Sequence, residues 1–252
     1  MLKRRIIPIE LFDGQRLVKT IGFDKPRDVG HPVKSSQVYS DQDADELMFL
    51  NISRSGRSVQ QMIDVIREIS RNCFVPLSVG GGIASASAAA ALFDAGADKV
   101  IVNSAVYRQP ELITEIARIH GKQAVIVGID VRRISSHGFE LYSDCGCQLE
   151  SIGLIEHIGG MTVAGAGEIM IQSIDQDGRM TGYDLDLLET VVKNTSTPII
   201  AAGGAGDFLH LKQAFDAGVD AAACGSLFNF GDNNPLRAKA YLKNYDIPLK
   251  KI

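Results

Sequence analysis

A single (β/α)8 barrel is the fold this chain predicts, on two observations: short apolar strands alternate with helix-length segments along its 252 residues, and its second half repeats its first. The repeat is clearest in Pro76–Ser104, PLSVGGGIASASAAAALFDAGADKVIVNS, which reads as strand, glycine turn, helix, strand. A shift of 122 residues carries it onto Pro198–Ser226. Pro76 then falls on Pro198, Gly81 and Gly82 on Gly203 and Gly204, Asp98 on Asp220, and Ser104 on Ser226. Upstream, Ala44, Glu46, Met48, Ile52 and Gly56 fall on Ala166, Glu168, Met170, Ile174 and Gly178. One ungapped offset over about sixty residues marks two copies of one half, so residues 1–252 are expected to form one domain of two half-barrels, about 1–122 and 123–252.

Taken in order, the expected strands are Arg5–Leu11, Glu46–Asn51, Pro76–Val79 and Lys99–Val102, then Ala124–Asp130, Glu168–Ser173, Ile199–Ala202 and Ala221–Cys224. Each is a short apolar run bounded by Gly, Pro or charged residues. Helical segments such as Val59–Arg71, Pro110–Ile119, Leu185–Val192 and Phe208–Ala217 fill the gaps between them. Two long stretches break the rhythm. Asp13–Pro32 follows the first strand and reads as irregular, while Arg132–Ser151 follows the fifth and offers a hairpin around Phe139–Ser143.

Composition narrows the function classes. A net charge of −4 argues against a nucleic-acid surface, which needs a basic face. No apolar run approaches a membrane span. The start, Met1-Leu-Lys-Arg-Arg-Ile-Ile-Pro-Ile, is interrupted as a leader by Pro8, Glu10 and Asp13, and reads as a first strand. A cytoplasmic protein is expected. The four cysteines make no disulfide framework in a chain this long. Cys145-Gly-Cys147 is half a thiolate site with no second pair to complete it, and His31, His120, His137, His157 and His210 show no metal-ligand spacing. Neither metal nor cofactor is expected.

In a barrel of this kind the loops after the strands build the site. Gly81-Gly82 after the third strand and Asn103-Ser104 after the fourth form one candidate phosphate cradle. Its repeat mate is Gly203-Gly204-Ala205 after the seventh strand with Gly225-Ser226 after the eighth, joined by Gly178. Glycine lets backbone N–H groups approach an anion closely, and a following helix N-terminus favours negative charge. Glycine at a strand end also merely permits a sharp turn. Two related cradles on one face favour phosphate, and imply a substrate phosphorylated at both ends or one working site plus a remnant.

With these motifs in view the chain resembles the HisF family, the cyclase subunits of imidazole glycerol phosphate synthase. The resemblance spans its whole length through Arg5-Ile-Ile-Pro8, Ala44-Asp-Glu-Leu47, Val79-Gly-Gly-Gly-Ile83, Gly96-Ala-Asp-Lys-Val100, Ile129-Asp130, Gly165-Ala-Gly-Glu168, Asp175-Gln-Asp-Gly178, Gly182-Tyr-Asp184 and Gly203-Gly-Ala-Gly206. It implies a HisH-like glutaminase docked at the bottom of the barrel. Ammonia would pass along the axis to a bisphosphorylated ribulosyl substrate at the top, with Lys19 and Asn51 among the substrate-binding residues. Arg5, Glu46, Lys99 and Glu168 each open a strand, where a charged barrel bottom is ordinary. By resemblance they form a salt-bridge ring guarding the ammonia entrance.

The family's acid–base pair is two aspartates ending strands one and five. Asp130 matches the fifth-strand position, and Asp177 is retained after the sixth. Strand one departs. Relatives read Cys-Leu-Asp-Val before a Lys-Asp-Gly turn, whereas this chain reads Ile9-Glu10-Leu11-Phe12-Asp13-Gly14, one residue shorter, with register regained by Lys19. Counting from Arg5 puts Leu11 at the catalytic position. Glu10 replaces the aspartate only if a bulge turns it inward, since a one-residue slip points a side chain to the opposite face. Asn51 stands where relatives carry aspartate.

An intact ammonia path with an impaired cyclisation site, and the phrase Leu17-Val-Lys-Thr20, resemble HisF-like paralogues that supply ammonia for amidating a surface-polysaccharide sugar, with a third, amidating enzyme. That is the leading expectation. The first alternative is the histidine-pathway cyclase with Glu10 as acid–base group, and the second a non-catalytic scaffold that activates its glutaminase.

Overall fold

The computed structural model describes residues 3–54, 56–135 and 138–250, so His137 lies outside the described residues. Chain order begins β1 (Arg5–Phe12), β2 (Leu17–Ile21), β3 (Asp24–Gly30), α1 (Pro32–Asp41), β4 (Leu47–Asn51), α2 (Ile63–Asn72) and β5 (Leu77–Gly80). It continues with α3 (Ala86–Ala95), β6 (Lys99–Val102), α4 (Glu111–His120), β7 (Val125–Arg133), β8 (Phe139–Ser143), β9 (Gln148–Glu150) and α5 (Leu154–Ala164). Last come β10 (Glu168–Ser173), α6 (Leu185–Asn194), β11 (Ile199–Ala202), α7 (Phe208–Asp216), β12 (Ala221–Cys224), α8 (Ser226–Asn229) and α9 (Pro235–Leu242).

Eight strands pair in parallel around a closed ring, β1-β4-β5-β6-β7-β10-β11-β12 and back to β1. Helices lie between successive strands, giving the (β/α)8 barrel expected from the alternation. The expected irregular stretch after the first strand is instead the antiparallel ribbon β2–β3, with β2 also pairing with β1. Leu17 and Val18 are buried within it, which is what holds this polar segment to the barrel end. The hairpin expected after the fifth strand is β8–β9, continuing antiparallel from β7.

Period-two alternation sorts every strand into two cores. Outward residues such as Ile6, Phe12, Leu47, Phe49, Val100, Val127 and Ile169 pack against the helices. Inward residues Ile7, Ile9, Met48, Ile101, Ile126, Met170, Ile200, Ala221 and Ala223 fill the barrel, with Leu11 and Leu50 against them. Burying each large side chain contributes about 1.5–3 kcal/mol.

The repeat is visible in the contacts. Asp98 accepts from the Leu77 amide at 2.8 Å, and its mate Asp220 from the Ile199 amide at 3.0 Å. Ser85 caps α3 and its mate Asp207 caps α7.

Candidate functional site

At the C-terminal ends of the strands opens a cavity of about 1070 Å³ that reaches down to Ile9, Ile101, Gly128, Met170 and Ala223. The two expected cradles lie on diametrically opposed strand pairs of its wall, β5–β6 and β11–β12. Gly81, Gly82, Asn103, Ser104, Gly178, Gly203, Gly204, Ala205, Gly225 and Ser226 all line it, as do Lys19, Asn51, Asp130 and Asp177.

Glycine is required at both hinges. Gly81 has φ +98°, and a Cβ there would meet the Asn51 carbonyl oxygen at 2.1 Å. Its mate Gly203 has φ +88° and would meet the Ser173 carbonyl oxygen at 2.6 Å. Asn51 and Ser173 are themselves repeat mates, so the two loops are folded by one device.

Asp130 ends the inward face of β7, and Asn103 Nδ2 donates to its Oδ2 at 2.9 Å. Burial raises its pKa to about 7, opposed by the Asn103 hydrogen bond and the Arg57 charge and assisted by the negative charge of Asp177. A carboxyl poised near neutrality suits proton transfer in either direction. Asp177 is raised chiefly by burial, against a 2.7 Å hydrogen bond from Thr20 Oγ1 and the Lys19 charge. Lys19, on β2, donates to the Ile9 carbonyl at 2.8 Å. Its pKa is lowered to about 8 by burial, partly offset by Asp177 and Glu10. It reaches the second cradle, since a Cβ on Gly225 would meet Lys19 Nζ at 1.7 Å.

Asn51 is engaged locally. Its amide donates to Gln61 at 3.0 Å, and its carbonyl accepts from the Ser53 amide at 3.0 Å and hydroxyl at 2.7 Å. It braces the loop after β4 while presenting a face to the cavity.

The substitution of Glu10 for the missing aspartate is overturned. β1 pairs with β4 and β12 without a register break. Leu11 therefore faces the cavity and Glu10 faces α1, buried at 2% exposure. Ser36 Oγ lies 2.6 Å from Glu10 Oε2 and 2.9 Å from the Pro32 carbonyl. One hydroxyl proton cannot serve two acceptors, so the arrangement is satisfied when protonated Glu10 donates to Ser36 and Ser36 donates to Pro32. Burial raises the Glu10 pKa to about 7, against the hydrogen bonds that Ser35 and Ser36 give the ionised carboxylate and the Lys19 charge.

A stability consequence follows from that proton. Between the ordinary carboxylate pKa and about 7 the folded chain holds a proton that the unfolded chain releases, so Glu10 destabilises the fold progressively as pH rises. Glu10→Gln keeps the donor to Ser36. It is expected to match the native protein near pH 4 and to exceed it by roughly 2–3 kcal/mol at pH 8 in urea unfolding.

At the opposite end of the barrel, Arg5, Glu46, Lys99 and Glu168 close a ring. Arg5 Nη1 meets Glu46 at 2.7 Å and Arg5 Nη2 meets Glu168; Lys99 Nζ meets Glu46 at 2.9 Å and Glu168 at 2.6 Å. Burial alone would raise Glu168, but the Arg5 hydrogen bond and the Arg5 and Lys99 charges hold it below the ordinary carboxylate range. Ser78, inward on β5, donates to Glu46 at 2.5 Å, and above it the inward column is apolar: Ile7, Ile9, Met48, Ile101, Ile126, Met170 and Ile200.

The sequence reading missed the basic wall of the cavity. Arg54, Arg57 and Arg108 line it together with Asp144 and Cys145, so one half of the Cys145-Gly-Cys147 pair belongs to the site. Charge counting in the loops after strands two and four would have found the arginines. Among the described residues no group of three or more His, Cys, Asp or Glu side chains converges as a metal site. No helix among them is long and apolar enough to cross a membrane.

Residues 5–234 match the family described as histidine biosynthesis protein. The imidazole glycerol phosphate synthase subunit HisF of Streptomyces coelicolor is 40% identical over 246 residues, covering 98% of each chain. That of Chlorobium limicola is 40% identical over 251 residues, covering 99% of this chain and 100% of the relative. That of Chloroherpeton thalassium is 38% identical at the same coverage.

Proposed function

The chain belongs to the histidine biosynthesis protein family, and on that premise we propose that it is the HisF-type cyclase subunit of an imidazole glycerol phosphate synthase. It takes ammonia from a glutaminase at the bottom of the barrel and adds it to a bisphosphorylated substrate at the top. The single observation that carries this reading is the arrangement on one axis of a charged ring, an apolar lumen, and a cavity with two opposed glycine cradles around Asp130. The whole-length likeness to relatives named HisF favours this alternative over the sugar-amidating reading expected first.

Each part has a physical role. Arg5, Glu46, Lys99 and Glu168 close the mouth through which ammonia released by the glutaminase enters. The apolar lumen then passes neutral ammonia and rejects ammonium, whose desolvation is prohibitive there. The cradles and Lys19 hold the two phosphates, spanning the substrate across the cavity. Asp130 shuttles protons during addition and ring closure. Phe74, Ile119 and Val163, the three most exposed large apolar side chains among the described residues, sit beside the helix ends that feed β5, β7 and β10, hence around the ring. They support a protein partner on that face.

One observation favours a second reading. Leu11 faces the cavity where the family resemblance calls for aspartate, leaving Asp130 without its partner across the barrel. In this reading the ammonia goes to another acceptor, a sugar-linked group amidated with a third enzyme, and no ring is closed.

The test supplies the bisphosphorylated ribulosyl substrate and excess ammonium to the purified chain. Turnover is expected, and Leu11→Asp is expected to raise it about 10- to 100-fold by restoring the second acid–base group. Zero turnover in both forms, with the chain folded and still binding a glutaminase, would replace the first reading with the second.

A further inference from the structure

The turn between β8 and β9 lies over the first cradle and is fastened there by polar contacts. The Asp144 amide donates to Ser104 Oγ at 3.0 Å, and Arg57 Nη1 donates to Cys145 Sγ at 2.7 Å. The Asp144 carboxylate stands between two guanidiniums, 3.7 Å from Arg57 and 3.6 Å from Arg108. Both distances exceed a charge-assisted hydrogen bond, so the carboxylate attracts both arginines while satisfying neither. Asp144, Cys145 and Gly146 all have positive φ, at 48°, 58° and 76°. Three successive left-handed residues curl the turn inward, a conformation that two non-glycine residues hold only at a cost.

The anion requirements of the cradle and the position of this carboxylate coincide. Ser104 belongs to the cradle, Arg57 and Arg108 flank it, and Asp144 is the negative group seated among them. We infer that Asp144 is an internal stand-in for substrate phosphate: it neutralises Arg57 and Arg108 in the free protein and gives them up when a phosphate dianion occupies the first cradle. The inference rests on the reading of that cradle as a phosphate site. Arg57 and Arg108 are then phosphate ligands from the loop after β4 and the segment before α4. A dianion of tetrahedral oxygens outbids the single carboxylate for two forked donors, whereas a monoanion gains little from the exchange. Asp144 thereby makes the cradle selective for phosphate over carboxylate-bearing compounds.

The experiment is calorimetric titration of the native protein, Asp144→Asn, Arg57→Gln and the double variant with inorganic phosphate and with acetate. Asn adopts the left-handed conformation readily, so the turn is preserved. Asp144→Asn is expected to bind phosphate about three- to tenfold more tightly, as removal of one like charge a few ångströms from the anion predicts, and to discriminate less against acetate. Arg57→Gln is expected to weaken phosphate and to abolish most of the gain in the double variant. Unchanged or weaker phosphate binding by Asp144→Asn, with native binding intact, would overturn the inference alone and make Asp144 a brace for the arginines. Absence of phosphate binding by every form would overturn both the inference and the cradle reading beneath it.

Discussion

Asp130→Asn is expected to lower ammonium-driven turnover by about 10²- to 10⁴-fold, the usual contribution of a positioned acid–base group. Asparagine keeps the shape and the contact with Asn103 but neither takes up nor releases a proton at neutral pH. The pH–rate profile supplies the sharper test. An inflection near 7, where burial has brought the Asp130 carboxyl, is expected in the native enzyme and absent from residual turnover of the variant. Stability is expected to move the opposite way. The folded chain retains the Asp130 proton over the interval where the unfolded chain has lost it, so the native protein loses stability as pH rises from the ordinary carboxylate pKa to about 7. The variant lacks that loss and is expected to gain on the order of 2–4 kcal/mol over native at pH 8, read by urea unfolding. A variant both inactive and more stable marks a carboxyl kept for chemistry. Undiminished turnover would remove Asp130 from the mechanism.

Glu46→Gln is expected to produce the second large effect, at the other end of the axis. Glu46 is 2% exposed and holds both Arg5 and Lys99. Neutralising it leaves two cations to share Glu168 at a partly buried mouth, and breaking a buried pair typically costs about 3–5 kcal/mol. Where the barrel survives that loss, glutamine hydrolysis by the bound glutaminase is expected to continue while product per glutamine falls severalfold. Turnover with free ammonium is expected to stay near native. Tight coupling in Glu46→Gln would sink the gate assignment. The ring also has an acid limit. Because Glu168 lies below the ordinary carboxylate range, its stabilisation is complete at neutral pH and lost as pH falls through its folded pKa.

The barrel was legible in the chain because its repeat and its period-two strands are local patterns that survive without tertiary information. Asp130, both cradles and the four ring charges were legible for the same reason, each marking one end of a strand. The ribbon β2–β3 was not. Its residues Asp24–Asp28 are exposed and mostly polar, and the strand character of Asp24–Gly30 comes from pairing with Leu17–Ile21. The sequence alone allows Glu10 either face, and the regular pairing of Arg5–Pro8 with β12 and of Ile9–Phe12 with β4 decides it. Arg57, Arg108 and Asp144 converge from three separate loops, and no spacing along the chain encodes such a meeting.

The inward columns of the strands have a further consequence. In β6 and just beyond it the column reads Lys99, Ile101, Asn103; in β7 it reads Ile126, Gly128, Asp130; in β10 it reads Glu168, Met170, Gln172. Mouth and site therefore share one parity, four residues and about 13 Å apart along each strand. A single insertion inside a strand would reverse the parity of one end against the other, so mouth and site could no longer both face the barrel. Edits beyond a strand's last residue leave the lower end untouched. The shortened turn after β1 is an edit of that kind: it changes what the upper rim offers a substrate while the Arg5 end keeps its place. An engineer can therefore rewrite the upper rim of this barrel loop by loop while the charged ring at the other end keeps its place.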